Sequence, residues 1–308
     1  MTVKAETRSF YEQAVERAVR HIIARLDDAL ELRGLARHAG MSPFHFHRVF
    51  RGLLGETPLE LQRRLRLERA AAALLGGDER VTALAFDAGY ETHEAFTRAF
   101  RRAYGVSPSS FRQRAGAAPA GCERPPSVEI TAPCGLHVHR LEEPLDLLFN
   151  QGAPDMNVVI ENLPALRVAA LHHVGPYQNI SEAFGRLGAL AGPAGLFRPD
   201  SMMIGLYHDD PDTTPAEELG SEAGVTVPEG VPLPSGLTEI KLAAGRYAKT
   251  THVGPYDQLH DVWSRFVGQW LPSSGERIGD GPSLEVYYNT PADAPPTQLR
   301  TDLYIPLA

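Results

Sequence analysis

Val81 to Arg112 reads VTALAFDAGYETHEAFTRAFRRAYGVSPSSFR, and its spacing predicts two helices joined by a tight turn. Val81, Leu84, Ala85 and Ala88 recur at helical intervals. Gly89 then stands where a left-handed residue ends a helix without a Cβ clash. Thr92 is an N-cap candidate, with Glu94 in the first turn, where the helix dipole favours an anion. Phe96, Ala99, Phe100 and Ala103 make an inward stripe. His93, Glu94, Thr97, Arg98, Arg101 and Arg102 are left facing outward, with the hydrogen-bonding and cationic groups that suit base edges and phosphates.

One such pair is compatible with an ordinary amphipathic helix hairpin whose charged face is solvated. A second copy argues otherwise. A shift of fifty residues lays SPFHFHRVFRGLLGETP (Ser42 to Pro58) on THEAFTRAFRRAYGVSP (Thr92 to Pro108), matching Ser42 with Thr92, Phe46 with Phe96, Arg48 with Arg98 and Phe50 with Phe100. Gly55 and Pro58 match Gly105 and Pro108. Each copy follows a short apolar helix ending in glycine, Leu35 to Gly40 and Leu84 to Gly89. Two helix-turn-helix units in tandem are not a chance pattern.

Residues 10 to 115 resemble the AraC/XylS-type DNA-binding domain. The motifs are S-x-x-x-F-x-R-x-F from Ser42, G-Y-E-T-x-x-x-F-T-R-x-F from Gly89 and G-V-S-P-x-x-F-R at Gly105 to Arg112. In such a domain the outward residues near the start of each recognition helix meet base edges, while caps and flanking arginines hold phosphates. Ser42 and Thr92 are those caps. The resemblance carries base reading to Phe44, His47 and Arg48 in the first unit and to His93, Glu94, Thr97 and Arg98 in the second. Arg suits a bidentate contact with guanine, Glu94 can accept from cytosine N4, and Phe44 can touch a thymine methyl. Arg48 and Arg98 stay open between base and phosphate.

A length of 308 residues with 43% hydrophobic content allows two domains with cores of their own. The net charge of −8 argues against a nucleic-acid binder until it is divided. Residues 1–115 hold 19 Lys+Arg against 14 Asp+Glu, or +5, which leaves −13 for the remainder. Phosphate binding at one end and a separate role at the other would produce this asymmetry. No run approaches the length of a membrane-spanning helix, and Met1 to Phe10 is too polar for a secretory signal. The expected location is therefore the cytoplasm, with no membrane partner. Cys122 and Cys134 lack a CxxC or His partner pattern, so two reduced thiols are expected.

Ser9 to Ala29 carries Phe10, Ala14, Val15, Ala18, Val19, Ile22, Ile23 and Leu26 at helical spacing, as a core helix of the first unit. Between the units, Thr57 and Pro58 form an N-cap and N1 pair, and a helix continues to Leu75 before Gly76-Gly77. At 1.5 Å per residue it spans roughly 25 Å, suited to a rod holding two recognition helices about one DNA turn apart. Arg63, Arg64, Arg66 and Arg69 along it either touch phosphate or form a solvated face. Gly116 to Ser127 has the small, proline-rich composition of a linker. Val128 to Asp155 suggests a hairpin around Pro133 to Gly135. There His137 and His139 share a strand face at a spacing a metal can use, without a third ligand in view.

From Met156 a second internal repeat appears. LHHVGPYQNISEAFGRL (Leu171 to Leu187) matches TTHVGPYDQLHDVWSRF (Thr250 to Phe266), and GLYHDDP (Gly205 to Pro211) matches EVYYNTP (Glu285 to Pro291). Each repeat reads as strand, Gly-Pro turn, helix, then strands. The fold expected is an all-α domain with two helix-turn-helix units (1–115) and a linker with an uncertain hairpin (116–155). An α+β domain of two pseudo-symmetric strand-helix-strand repeats, with a groove between them, completes it (156–308).

This second domain resembles the GyrI-like effector-binding domain, known also from multidrug-sensing regulators. The resemblance rests on V-A-x-L-x-x-V-G-P-Y at Val168 to Tyr177, the duplicate H-V-G-P-Y, the L-E-V-Y strand and the closing D-L-Y-I-P-L. The odd residue is Glu285, which shares a strand face with Tyr287, whereas the first repeat has Gly205 in its place. A carboxylate among aromatics is costly unless a cation or donor meets it, which describes a site for a lipophilic cation. An exposed strand glutamate is the alternative. The resemblance favours the pocket, walled by Tyr207, Trp263, Tyr287 and Tyr304.

The leading function is a transcription regulator with three partners: double-stranded DNA, a small lipophilic or cationic effector and, in activation, RNA polymerase. The runner-up is a hydrolase in which Glu285 and Tyr287 assist water attack, since GyrI-like domains also resemble small-molecule hydrolases. A drug-sequestering protein is a third. DNA alkylation repair is excluded, because it needs a thiolate in a zinc cysteine cluster that two scattered cysteines cannot supply. No motif calls for a cofactor or a metal.

Overall fold

The computed structural model describes residues 3–116, 132–137, 145, 147–152, 154–209, 211 and 214–308. Among them the helices α1 (Val3–Ala24), α2 (Leu32–Ala39), α3 (Pro43–Leu54), α4 (Pro58–Gly76), α5 (Val81–Asp87), α6 (His93–Tyr104) and α7 (Pro108–Gly116) come first. An antiparallel sheet domain follows. The chain forms two compact units, one of Met1–Tyr11, Met41–Val49 and Gly152–Ala308, the other of Glu12–Gly40 and Phe50–Gln151. The division runs through α1 and α3.

In the helical unit, α4 begins with a reciprocal cap. Thr57 Oγ1 accepts from Glu60 N at 3.1 Å, and Glu60 Oε2 accepts from Thr57 N at 2.8 Å. Leu61, Leu65, Leu67, Ala71 and Leu74 are buried on several of its faces, so the helix runs through the interior. Leu67, Leu74, Leu84, Ala85, Phe96, Phe100 and Phe111 form the core around α5 and α6. Each such Leu or Phe contributes about 1.5–3 kcal/mol by leaving water. Gly89, with φ 80°, takes the left-handed conformation that its place after α5 requires.

The arginines of α4 correct an expectation. Arg64 is buried and forks onto Glu56 (Nη2 to Oε1 2.6 Å, Nε to Oε2 2.9 Å), while Nη1 donates to Glu68 Oε1 at 2.8 Å and to Leu136 O at 2.7 Å. Arg66 donates to the carbonyls of Leu26 and Asp28, and Arg69 pairs with Asp27. These three tie α4 to its neighbours, Arg64 from the interior and Arg66 and Arg69 from half-buried positions; Arg63 is exposed.

Gly116 ends α7; the rest of the expected linker, with Cys122, lies outside the described residues, as do most of the hairpin positions and His139. Of that segment, Pro133 and Cys134 form a turn where the bend is expected, closed by Gly135 N donating to Ala132 O, and Leu136 and His137 are not in a strand. Cys134 is buried, its Sγ donating to Glu56 Oε1 at 3.1 Å, and burial pushes its thiol up to about 12. His137 Nδ1 lies 3.2 Å from Glu68 Oε1, engaged by a carboxylate. Among the described residues no group of His, Cys, Asp and Glu is arranged to hold a metal, and no helix is long and apolar enough to cross a membrane.

The sheet contains β1 (Val158–Leu163), β2 (Leu166–Val174), β3 (Met203–Tyr207), β4 (Gly220–Thr226), β5 (Thr238–Leu242), β6 (Gly245–Val253), β7 (Leu284–Tyr287) and β8 (Arg300–Pro306). Their order is β1-β6-β8-β7-β3-β4-β2-β5, all antiparallel. Helix α8 (Ile180–Ala191) follows β2, and α9 (Leu259–Arg265) follows β6, each after a Gly-Pro turn. One sheet face packs Ala169, Leu171, Ala223 and Val225 on Ala183, Leu187 and Ala191 of α8. The opposite face gathers Val168, Ile204, Leu206, Tyr247, Leu284, Val286 and Tyr304. At the centre of the sheet, β3 and β7 pair with Gly205 opposite Glu285.

Candidate effector site and nucleic-acid interface

Strand alternation decides which side chains converge at the centre. Gly205 and Tyr207 on β3, and Glu285 and Tyr287 on β7, occupy the face opposite the Leu284–Val286 cluster. Glu285 is only 4% exposed. Its Oε1 accepts from Trp263 Nε1 of α9 at 2.6 Å, and its Oε2 accepts from the Tyr287 hydroxyl at 2.5 Å. The Tyr207 and Tyr287 hydroxyls are themselves 2.5 Å apart. Three more rings stand edge-on behind them: Tyr177 against Tyr207 (4.8 Å between centroids), and Tyr256 and Phe184 against Tyr287 (5.6 and 5.4 Å).

Burial raises the Glu285 carboxyl above its ordinary range, opposed by the Tyr287, Trp263 and Tyr207 hydrogen bonds and by the charge of Arg48. Burial, reinforced by Glu285, also holds Tyr207 and Tyr287 well above the usual phenol. Both tyrosines therefore stay protonated and can act as donors. A desolvated carboxylate ringed by aromatic faces is chemistry for an organic cation.

Of the four aromatic walls expected from the sequence, Tyr207, Trp263 and Tyr287 meet around Glu285. Tyr304 does not. It pairs with Leu284 across the β7–β8 ladder, so it shares the opposite face, where its hydroxyl donates to Glu161 Oε1 at 3.1 Å and its ring contacts Tyr247. Three site rings lie beyond those expected from the sequence: Tyr177, Phe184 and Tyr256. The duplicated G-P-Y marks the two tyrosines, and Phe184 belongs to the apolar stripe of α8. The turn is made as well, with Asn179 N donating to Pro176 O and Gln258 N to Pro255 O, and Tyr177 OH donates to Asp209 O and Tyr256 OH to Asn289 O. Those bonds also aim both rings inward.

In the helix-turn-helix region the two helices expected to read DNA differ. In α6, Thr92 Oγ1 accepts from Ala95 N at 3.1 Å as the cap, and Phe96 and Phe100 are buried. Thr92, Glu94, Arg98, Arg101 and Arg102 are exposed, with His93 and Thr97 half-buried, so the face expected to read DNA is presented to solvent. In α3, Ser42 is exposed and its Oγ accepts from His45 N at 3.3 Å. Phe44, His47 and Arg48 are buried, and in this conformation they reach no base edge. The Arg48 guanidinium lies 3.9 Å over the Phe44 ring, and Phe44 meets Trp263 edge-on at 5.6 Å. His45 Nε2 is 2.9 Å from Ser283 Oγ, next to β7.

Residues 156–308 match the GyrI-like small molecule binding domain, and residues 35–114 match a helix-turn-helix domain family. A DNA gyrase inhibitor of Erwinia billingiae is 33% identical over 158 residues, covering 50% of this chain and 98% of that protein. The probable transcriptional regulator YgiV of Escherichia coli K12 is 32% identical over 157 residues, covering 50% and 96%. The HTH-type transcriptional regulator YbfP of Bacillus subtilis is 35% identical over 103 residues, or 33% of this chain and 35% of that one. Among solved structures, the EcmrR C-terminal domain aligns at 17% identity with a TM-score of 0.45, over 50% of this chain and 99% of that chain.

Proposed function

This chain belongs to the GyrI-like small-molecule-binding family, and from that premise we propose a cation-responsive transcription regulator of the AraC/XylS type. It is a DNA-binding regulator whose C-terminal domain binds a small molecule. The observation that carries the ligand class is Glu285, a carboxylate 4% exposed, held by Trp263 Nε1 and Tyr287 OH within a ring of aromatic side chains. An organic cation regains there, through the carboxylate and the ring faces, the stabilisation it loses on leaving water.

The outward face of α6 supports sequence-specific reading of double-stranded DNA, and RNA polymerase is the expected partner in activation. A cytoplasmic location follows from those partners. The strand order, in which β5 to β8 take the places of β1 to β4 when read from the other end, supports a duplicated strand-helix-strand unit. We propose a sensor rather than a hydrolase because each Glu285 oxygen already accepts a hydrogen bond from the fold, which suits a fixed counter-charge better than a base that must reach water.

The test is calorimetric titration with tetraphenylphosphonium and with neutral triphenylphosphine oxide, on the wild type and on Glu285→Gln. Saturable binding of the cation alone, lost in the variant, is expected; equal binding of both probes refutes the cation site. Product formed per protein during incubation with a hydrolysable ester would instead indicate an enzyme.

A further inference from the structure

Arg48, Phe44, Trp263 and Glu285 form a continuous buried chain within one compact unit. The guanidinium lies 3.9 Å over the Phe44 ring, Phe44 meets Trp263 edge-on at 5.6 Å and 80°, and Trp263 Nε1 reaches Glu285 Oε1 at 2.6 Å. Phe44 and Arg48 are 4% and 5% exposed. His45, on the same turn of α3, adds a buried contact to Ser283 Oγ at 2.9 Å, and Ser283 immediately precedes β7. What the first turn and a half of α3 brings to the Glu285 site is thus an aromatic ring stacked with a delocalised cation.

We infer that this segment is the built-in occupant of the effector site, an intramolecular mimic of an aromatic cation, and that a ligand of that chemistry competes with it for Trp263 and Glu285. The inference rests on the proposed reading of Glu285 as a cation site and adds how occupancy reaches DNA. Phe44, His47 and Arg48 are the residues that the sequence pattern assigns to the first DNA half-element. While docked, they cannot touch a base edge, and the protein reads DNA with α6 alone. A ligand that displaces the segment returns them to solvent and restores the second reading helix. Ligand binding and release of α3 share one equilibrium, so the apparent ligand affinity is the intrinsic affinity reduced by the fraction of molecules with the segment undocked. By linkage, DNA carrying both half-elements must tighten ligand binding by the same factor as the ligand tightens DNA binding.

The test uses the full-length protein and tetraphenylphosphonium. Amide hydrogen exchange of Met41–Val49 is followed with and without the cation, alongside its affinity for the wild type, Phe44→Ala and Glu285→Gln. Faster exchange in Met41–Val49 on cation binding, with Phe44→Ala binding about tenfold tighter because the competitor is gone, is the expected result. Binding that Glu285→Gln abolishes, with exchange in Met41–Val49 unchanged or slowed, overturns the built-in occupant and leaves the cation site standing. Absence of binding by both the wild type and Phe44→Ala overturns both. The exchange measurement on the wild type decides the matter even where Phe44→Ala fails to fold.

Discussion

Gly205 faces Glu285 directly across the β3–β7 ladder, and a Cβ at Gly205 would stand 3.0 Å from the Tyr207 ring and 3.1 Å from both the Tyr207 and Tyr287 hydroxyl oxygens. The missing side chain on one strand is therefore the room that the carboxylate and two phenols on this face share. Gly205→Ala forces one tyrosine aside. It is expected to cost about 1–3 kcal/mol of stability by overpacking, read from denaturant midpoints, and to weaken tetraphenylphosphonium binding at least in proportion.

A carboxyl whose pKa is raised by the fold holds a proton that the unfolded chain has released. The native state therefore loses stability as pH rises from the ordinary 4.5 to the folded value, and the loss stays constant above it. Glu285→Gln has no such dependence. The melting temperature of the variant minus that of the wild type should rise with pH across this window. Cation binding by the wild type should strengthen over the same range as the carboxylate ionises. A flat difference would place the ionisation elsewhere.

Arg64 holds two buried carboxylates, Glu56 and Glu68, at 2.6 and 2.8 Å. Arg64→Ala leaves both uncompensated in a desolvated site, and breaking one side of such a cluster costs about 3–5 kcal/mol. Thermal unfolding followed by circular dichroism should show the helical unit as the part destabilised.

The proposed DNA-reading role of α6 carries its own test. Arg98 is exposed on α6 two residues after Phe96. Arg98→Ala is expected to relax preference at one base pair, by roughly 1–3 kcal/mol, in selection from a randomised DNA pool. Arg102→Ala should instead weaken all sequences alike and lower the salt slope by about one. Uniform loss for Arg98→Ala would reassign it to the phosphate backbone.

The features visible in the sequence were those fixed by near neighbours. The Thr92 cap is made three residues away, at Ala95 N, and the Phe96–Phe100 stripe is one helical turn. Glu285 stood out because it interrupts an apolar strand. Tyr304 was misplaced because a strand's period tells which residues share a face, but only the ladder tells which face matches that of the next strand. The α4 arginines fit a phosphate contact or a solvated face alike in the sequence because their partners Asp27, Asp28 and Glu56 lie outside the helix. A local motif assigns Phe44 and Arg48 to bases, while the contact of Phe44 with Trp263 joins residues more than two hundred positions apart, beyond the reach of periodicity.

β1 pairs with β6, and β5 pairs back with β2. Each half of the sheet is thus edged by a strand encoded in the other. Removing either half would strip the border strand from the one that remained, and neither half makes a finished sheet by itself.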